Sequence, residues 1–535
     1  MEVLCVRKGT QVINGTEYVF EDHAYWDSEK KRGAHKRVYI GKNVNGKFIP
    51  NETYRLQQQL DKAKKENRPG PVSTDKSLRQ FYGGVYLLEQ IGEITGVKQD
   101  MQRCFPDCHE QLLSIVYYLI LESKPLYRFK KWDHTHKHPY GQDISSQRSS
   151  ELLTRISEGD KMTFFKRQAE RRLETEFLAF DTTSISSFSQ LIKQVKYGKN
   201  KEGDSLPQIN LALLLGEQSG LPVYYRKLPG NLSDVKLIDK LLKDIEFLNL
   251  NKVKLVLDRG FYSAENINQL YKKHYQFLIG AKLSLSIIKH PLEDIRNELK
   301  TRKNYISQLA LFAKRLPLEW PYQEVKTRTG ERINEKRRVY VHYYYGDQKA
   351  TDDRQRFYHK LDQLEEELRT NKRKSDHDNQ YRKYFDVTST PIRGLKIVPK
   401  QAAIDQAEKN FGYFALISNR IKDPIEALNI YRTKDLIEKA FENLKEHLNM
   451  RRESVASEEA LEGKLFLQFV ALIYLCYIKK AMDENKLFAK YTLNQLLDEL
   501  DIIELFQLPG SRPHFGEITG KQKTIFEALG VQCPS

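Results

Sequence analysis

The chain has 535 residues, enough for roughly three or four domains and a large buried core. Lys and Arg number 88 against 71 Asp and Glu, a formal net charge of +17. That surplus favours a polyanionic partner, nucleic acid ahead of an anionic membrane surface. The five cysteines, few and odd in number, argue against a disulfide framework and for a reducing cytoplasm.

Residues 10–50 read as a β-rich module. TEYVFEDHAYWDS and KRVYIGKNVNGKFIP hold strand formers, and Asn45-Gly46 marks a turn. A charged helix, ETYRLQQQLDKAKKEN, leads to the breaker Pro69-Gly70-Pro71, so residues 1–75 form one module with its linker. The start, MEVLCVRKGT, has neither the apolar stretch nor the cleavage site of a signal peptide. Residues 76–175 read as helical, LLSIVYYLILES as a buried helix and SSELLTRISEGDKMTFFKRQAERRL as an amphipathic one.

The character changes over residues 176–282. EFLAFD and KVKLVLD are apolar strands that each end on an acid. Between them lie two strands around a Gly-containing turn, then the helix SDVKLIDKLLKDIEFLNL, with a cap expected at Ser233 or Asp234. The helix SAENINQLYKKH and the strand YQFLIGAKL follow. Strands alternating with helices imply an α/β core. Residues 283–410 break the rhythm with a strand pair and a charged helix and read as an insertion subdomain. The α/β pattern resumes over 411–455 with GYFALISN and the long helix DPIEALNIYRTKDLIEKAFENLKEHL. Residues 456–535 are helical. Their longest apolar run, from Leu465 to Ile478, is interrupted by Gln468. It falls short of the about 20 residues that a membrane span needs, so it reads as a core helix, and no membrane partner is expected.

Asp181 and Asp258 stand at matching places, just past buried strands, where α/β sheets bind ligands. A third acid lies on the long helix. At about 100° per residue, Tyr431, Lys434, Glu438 and Lys445 share one face within about 60°. Leu436, Ile437, Ala440, Phe441, Leu444 and Leu448 take the opposite side. Cleaving a phosphodiester puts negative charge on the attacking and leaving oxygens, and two metal ions can stabilise both. Hard cations such as Mg2+ want oxygen ligands. Asp181, Asp258 and Glu438 are therefore the expected catalytic metal ligands, with lysines nearby to hold DNA phosphates.

These segments resemble the bacterial DDE transposases of the insertion-sequence-four superfamily. That family's third-acid helix carries Tyr, two residues, Arg, three residues, Glu, six residues, Lys. Here the pattern reads Tyr431, Lys434, Glu438, Lys445, with Lys in place of Arg. FDTTSIS is similar to the first-acid region and LDRGFYS to the second. LPQINLALLLGEQSGLPVYYRKLPGNLSD, SEEALEGKLFLQFVALI and the early YWDSEKKRGAHKRVYIGK also resemble family segments. The resemblance implies an α/β fold with a ribonuclease-H-like core, a β-containing insertion between Asp258 and Glu438, and helical flanks. It implies two Mg2+ ions, replaceable by Mn2+, and cut-and-paste transposition through a DNA hairpin. Tyr431, Lys434 and Lys445 would contact DNA, transposon ends and target DNA would be the partners, and a homodimer would form the synaptic complex in the bacterial cytoplasm, at the nucleoid. In relatives a Trp of the insertion stabilises a flipped base. Trp320 is the insertion's only Trp, and reads rather as a core or interface residue.

Cys104, Cys108 and His109, with His134, His136 and His138, do not have the spacing of a zinc site. They read as surface histidines and buried cysteines. Asn266 and His447, near the acids in sequence, read as a local cap and a surface group. Two other functions stay open: a nuclease on the same fold that cuts without joining, and a non-catalytic DNA-binding relative.

Overall fold

The computed structural model describes residues 3–27, 32–65, 77–171, 176–187, 195–197, 206–232, 234–248, 253–325, 331–390, 394–448, 452–453, 457–508 and 511–534. The chain forms two compact units, Met1–Leu78 with Gln507–Pro513, and Arg79–Phe506 with His514–Ser535. Pro69-Gly70-Pro71 and the side chains of Ser233 and Asp234, where a breaker and a cap are expected, lie outside the described residues.

In the first unit β1 (Val3–Ile13), β2 (Thr16–Asp27), β3 (Arg32–Val44) and β4 (Lys47–Pro50) make an antiparallel meander in sequence order. The β1–β2 and β3–β4 turns are Asn14-Gly15 and Asn45-Gly46, all four residues at positive φ. Asn-Gly tolerates that backbone at both central positions and matches the twist of the flanking strands.

The second unit is built on a ten-stranded mixed sheet. Its centre holds β5 (Leu178–Ser187), β6 (Gln208–Gly216), β7 (Pro222–Pro229), β8 (Lys254–Leu257) and β9 (Gln276–Ala281). In space they run β7-β6-β5-β8-β9. β5, β6 and β7 are an antiparallel meander, whereas β8 runs parallel to β5 and β9 parallel to β8. The helix Asp234–Phe247 carries the chain from β7 to β8, and Ala264–Lys272 carries it from β8 to β9. β6, QINLALLLG, is buried at all nine positions, which explains why it is mostly apolar rather than alternating: both faces are covered.

The sheet continues beyond β9 through β10 (Leu311–Val325), β11 (Arg332–Tyr345) and β14 (Tyr413–Ser418), in the spatial order β9-β14-β11-β10. The strand pair that the sequence places in the insertion is thus part of the central sheet. Its pairing partner β14 begins only at Tyr413, far beyond the end of β11 at Tyr345, and no local pattern reveals such a pairing. Between β11 and β14 stand the helices Asp347–Arg369 and Asp378–Tyr384 and the hairpin β12 (Phe385–Thr390) to β13 (Gly394–Pro399). They share a separate small core of Leu364, Leu368, Tyr381 and Phe385. Trp320 on β10 is only 4 % exposed, and its indole N–H donates to Asn268 Oδ1 at 2.8 Å, so it serves the core.

The helix Glu458–Glu484 is 27 residues long and extends well past both ends of the apolar run within it. Length and composition would let it cross a membrane, but 83 % of its most apolar window is buried in the protein. Gly463 is required there. A Cβ would lie 2.1 Å from the Leu153 carbonyl oxygen, so only glycine lets the helix Ser146–Arg155 pack this closely.

His136 and His138 depart from the surface role expected of them. Both are buried, stacked at 5.0 and 5.1 Å against Trp132. Asp501 and Asp133 accept from their Nε2 atoms at 2.9 Å. Burial lowers the pKa of His138 despite the Asp133 contact. The pair is a packing device bridging distant helices, and nothing in the spacing of HTHKH announces the Trp between them.

Candidate active site

β5 and β8 run parallel with Phe180 opposite Leu257. The next residue along each is an acid. Asp258 stands just past the end of β8 as expected, whereas Asp181 lies within β5, which runs on to Ser187. The two carboxylates thus start from neighbouring strands about 4.8 Å apart at the same level. Asp181 is held by the Thr182 amide, which donates to its Oδ1 at 2.7 Å. Asp258 leaves β8 in an extended conformation and opens the short turn Arg259–Phe261.

The third acid arrives on a helix that is less regular than its sequence suggests. Pro424–Arg432 starts at Asp423, whose side chain caps the Ile425 amide. A hitch at Thr433 separates it from Lys434–Glu442, and a π turn, Asn443–His447, follows. Lys434–Glu442 packs on β5 through Ile437, Ala440 and Phe441, which presents Glu438 toward solvent, its side chain 62 % exposed. Lys445 lies in the π turn and is half-buried. A π turn widens the hydrogen-bond spacing from four residues to five. The regular 100° step therefore fails beyond Glu442, and the face deduced for Lys445 does not follow from it.

Tyr431 and Lys434 converge on one oxygen. The Tyr431 hydroxyl donates to Asp258 Oδ1 at 2.8 Å, and Lys434 Nζ donates to the same oxygen at 3.1 Å. Lys434 Nζ also lies 3.7 Å from Glu438 Oε1. Burial opposes ionisation of Asp258, but the Lys434 charge, the bonds from Tyr431 and Lys434 and the Arg259 amide outweigh it, and its pKa falls below the usual value. Burial likewise opposes the Lys434 charge. The carboxylates of Asp258, Glu438 and Asp181 together overcome this and raise its pKa. For Tyr431, burial and then the Asp258 charge push the pKa up, so the phenol stays a donor. One ammonium thus feels all three acids.

A glycine makes this junction possible. Gly280 lies on β9 beside β8, and a Cβ there would sit 2.6 Å from the Tyr431 hydroxyl and 3.1 Å from the Arg259 nitrogen. Sequence reading passed over it. The available signal was a lone Gly inside the apolar strand YQFLIGAKL, a pattern that marks close approach of another group. Asn266 is buried and spans the turn after Asp258, its Nδ2 donating to the Phe261 carbonyl at 2.7 Å. His447 is half-buried rather than a surface group, with Nε2 2.9 Å from the Ile120 carbonyl oxygen.

In kind, three carboxylates without thiol or imidazole suit a hard divalent ion. In spacing, no three His, Cys, Asp or Glu side chains among the described residues are grouped closely enough to hold a metal ion. Asp258 Oδ1 is instead taken up by Tyr431 and Lys434.

The transposase DDE domain family matches residues 172–474, more than half of the chain and a span that includes Asp181, Asp258 and Glu438. Among solved structures, a piggyBac transposase synaptic complex with hairpin DNA is similar at a TM-score of 0.35 and 11% identity, over 78% of this chain and 70% of that one. No curated protein sequence matches.

Proposed function

The chain belongs to the transposase DDE domain family, and on that premise we propose that it is the transposase of a bacterial insertion sequence of the insertion-sequence-four superfamily. The observation that carries this reading is the convergence of Asp258, at the end of β8, and Glu438, from a helix far along the chain, on the Lys434 ammonium, with Asp181 at the same level on the neighbouring strand β5. The proposed core is ribonuclease-H-like. Its support is the order β7-β6-β5-β8-β9, an antiparallel meander continued by two strands parallel to its first.

Asp181, Asp258 and Glu438 are the proposed ligands of two Mg2+ ions, with Mn2+ able to replace them. When bound, such ions stabilise charge on the attacking and leaving oxygens of a phosphodiester. Tyr431 orients the Asp258 carboxylate, and Gly280 leaves room for it to do so. Lys434 and Lys445 supply positive charge for phosphates of the cut end. In the proposed sequence water attacks first, and the freed 3′-hydroxyl then attacks the opposite strand to form a hairpin. The hairpin is reopened, and the 3′-end is joined to target DNA. Residues 1–75 recognise the transposon end, a homodimer brings two ends together, and the reaction takes place at the nucleoid in the bacterial cytoplasm.

An assay with a DNA end, a target plasmid and Mg2+ tests the reading. Joined product is the expected result. Cut product alone makes the protein a nuclease, and a bound complex without cutting makes it a DNA-binding relative; either result overturns the transposase reading.

A further inference from the structure

We infer that Lys434 is the resident counter-ion of Asp258 and Glu438, and that a divalent cation must displace it to take Asp258 Oδ1. This rests on the reading of the acids as metal ligands.

A carboxylate oxygen has two lone-pair directions. Asp258 Oδ1 meets the Tyr431 hydroxyl at 2.8 Å and Lys434 Nζ at 3.1 Å. Both directions are used, so an incoming ion gains that oxygen only by removing a donor. Tyr431 is the harder one to move. It is a rigid ring with its hydroxyl seated against Gly280, and its half-buried phenol needs an acceptor. Lys434 carries a compact charge on a flexible four-carbon stem, 26 % exposed, at the first position of its helix just after the hitch at Thr433.

Electrostatics gives the exchange its direction. Carboxylates drawn toward one point repel one another. One ammonium, 3.1 Å from Asp258 and 3.7 Å from Glu438, offsets part of that repulsion in the metal-free protein. A divalent ion brings twice the charge, and once it is seated the ammonium beside it becomes a like charge. Lys434 therefore weakens metal binding while stabilising the metal-free site. Displaced, its ammonium is free to meet a phosphate.

The test measures Mn2+ binding by the full chain without DNA at fixed pH, following free Mn2+ by electron paramagnetic resonance. The set comprises wild type, Lys434→Met, Lys434→Gln, Lys434→Arg and Asp258→Asn, each checked by circular dichroism. Lys434→Met should bind Mn2+ about tenfold or more tightly than wild type, since a charge about 4 Å from the ion is removed. Lys434→Arg should match wild type, and Asp258→Asn should lose the site. The metal-free Lys434→Met protein should melt lower than wild type and be stabilised more by Mn2+. Lys434→Gln provides the same comparison where Lys434→Met does not fold. If wild type binds Mn2+ and Asp258→Asn does not, yet a folded Lys434→Met or Lys434→Gln binds no more tightly than wild type, the displacement is overturned and the metal site stands. If wild type shows no saturable Mn2+ binding that Asp258→Asn removes, the metal-ligand reading falls, and this inference with it.

Discussion

Asp258 and Glu367, both in the second unit, each accept a tyrosine hydroxyl and sit beside a lysine ammonium. Asp258 takes Tyr431 and Lys434. Glu367 takes Tyr381, with His377 Nδ1 at 2.7 Å and Lys374 Nζ at 3.3 Å. Glu367 and its partners are neighbours in the chain, on and just after one helix and beside a small core of their own. The partners of Asp258 stand 173 and 176 positions further along, and a second acid, Glu438, lies 3.7 Å from the same ammonium. A well-satisfied carboxylate is therefore no sign of chemistry. The informative feature is like charge gathered from distant elements, which costs stability and persists where function needs it.

The largest contrast should come from removing the acids. Asp181→Ala, Asp258→Ala and Glu438→Ala should each reduce nicking of a DNA end to background while DNA binding persists, because in the proposed function the acids serve the metals and the basic surface serves the DNA. Glu367→Ala should leave nicking intact in any protein that folds. A gel-based nicking assay beside a filter-binding assay checks all four. Normal nicking by any one of the three acid variants removes that residue from the site.

Next in size are the residues that position Asp258. Tyr431→Phe removes a hydrogen bond to a charged group, which is worth about 1.5–3 kcal/mol. If that bond matters fully in the transition state, nicking falls about tenfold to a hundredfold. Gly280→Ala should do the same by a different route, through a methyl group pressed on the Tyr431 hydroxyl. The double variant should then be little worse than either single one, since both break one contact. Multiplying losses in the double variant would separate Gly280 from Tyr431. In the other region, Tyr381→Phe should change nicking no more than Glu367→Ala does.

The two regions also differed in how far their sequence could be read. Asp181 and Asp258 stand out because each ends a short apolar run, and an apolar run bounded by polar residues is a local signature of a buried strand. The Asn45-Gly46 turn was legible for the same local reason. What escaped was non-local or irregular. Gly280 matters only because Tyr431, from a helix much later in the chain, packs over it. The hairpin β10–β11 joins the central sheet through β14, which alternation of polar and apolar residues cannot announce. The π turn after Glu442 has no compositional mark, and because of it the face deduced for Lys445 does not follow from the regular helical step. The clasp around Glu367 was missed because the charged helix Asp347–Arg369 reads as a solvated surface.

Lys445 measures how much that irregularity matters. If it meets a phosphate, Lys445→Ala should weaken end binding several-fold and make its salt dependence shallower by about one unit in the log–log slope. If it serves only as a surface charge, the change is worth about 0.3–0.5 kcal/mol and the slope is unchanged. Affinity measured across a salt series for wild type and Lys445→Ala separates the two.

The smallest effect on activity, none at all, belongs to Glu367, and there the comparison is sharpest in acid. Hydrogen bonds from Tyr381 and His377, with Lys374 adding to them, hold the Glu367 carboxyl down at about 2. The folded value is thus depressed below the usual 4.5. The stability it contributes is fully present above the unfolded pKa, declines as pH falls below about 4.5, and is lost by about 2. Glu367→Gln removes the titration, so the variant should be less stable than wild type at neutral pH. The gap should close as pH falls from about 4.5 toward 2, read by thermal melting at each pH. Nicking at neutral pH should stay at the wild-type rate in the folded variant. A gap that stays constant across that range would show that Glu367 does not titrate with folding. A loss of nicking in folded Glu367→Gln would break the contrast between a clasp and a site.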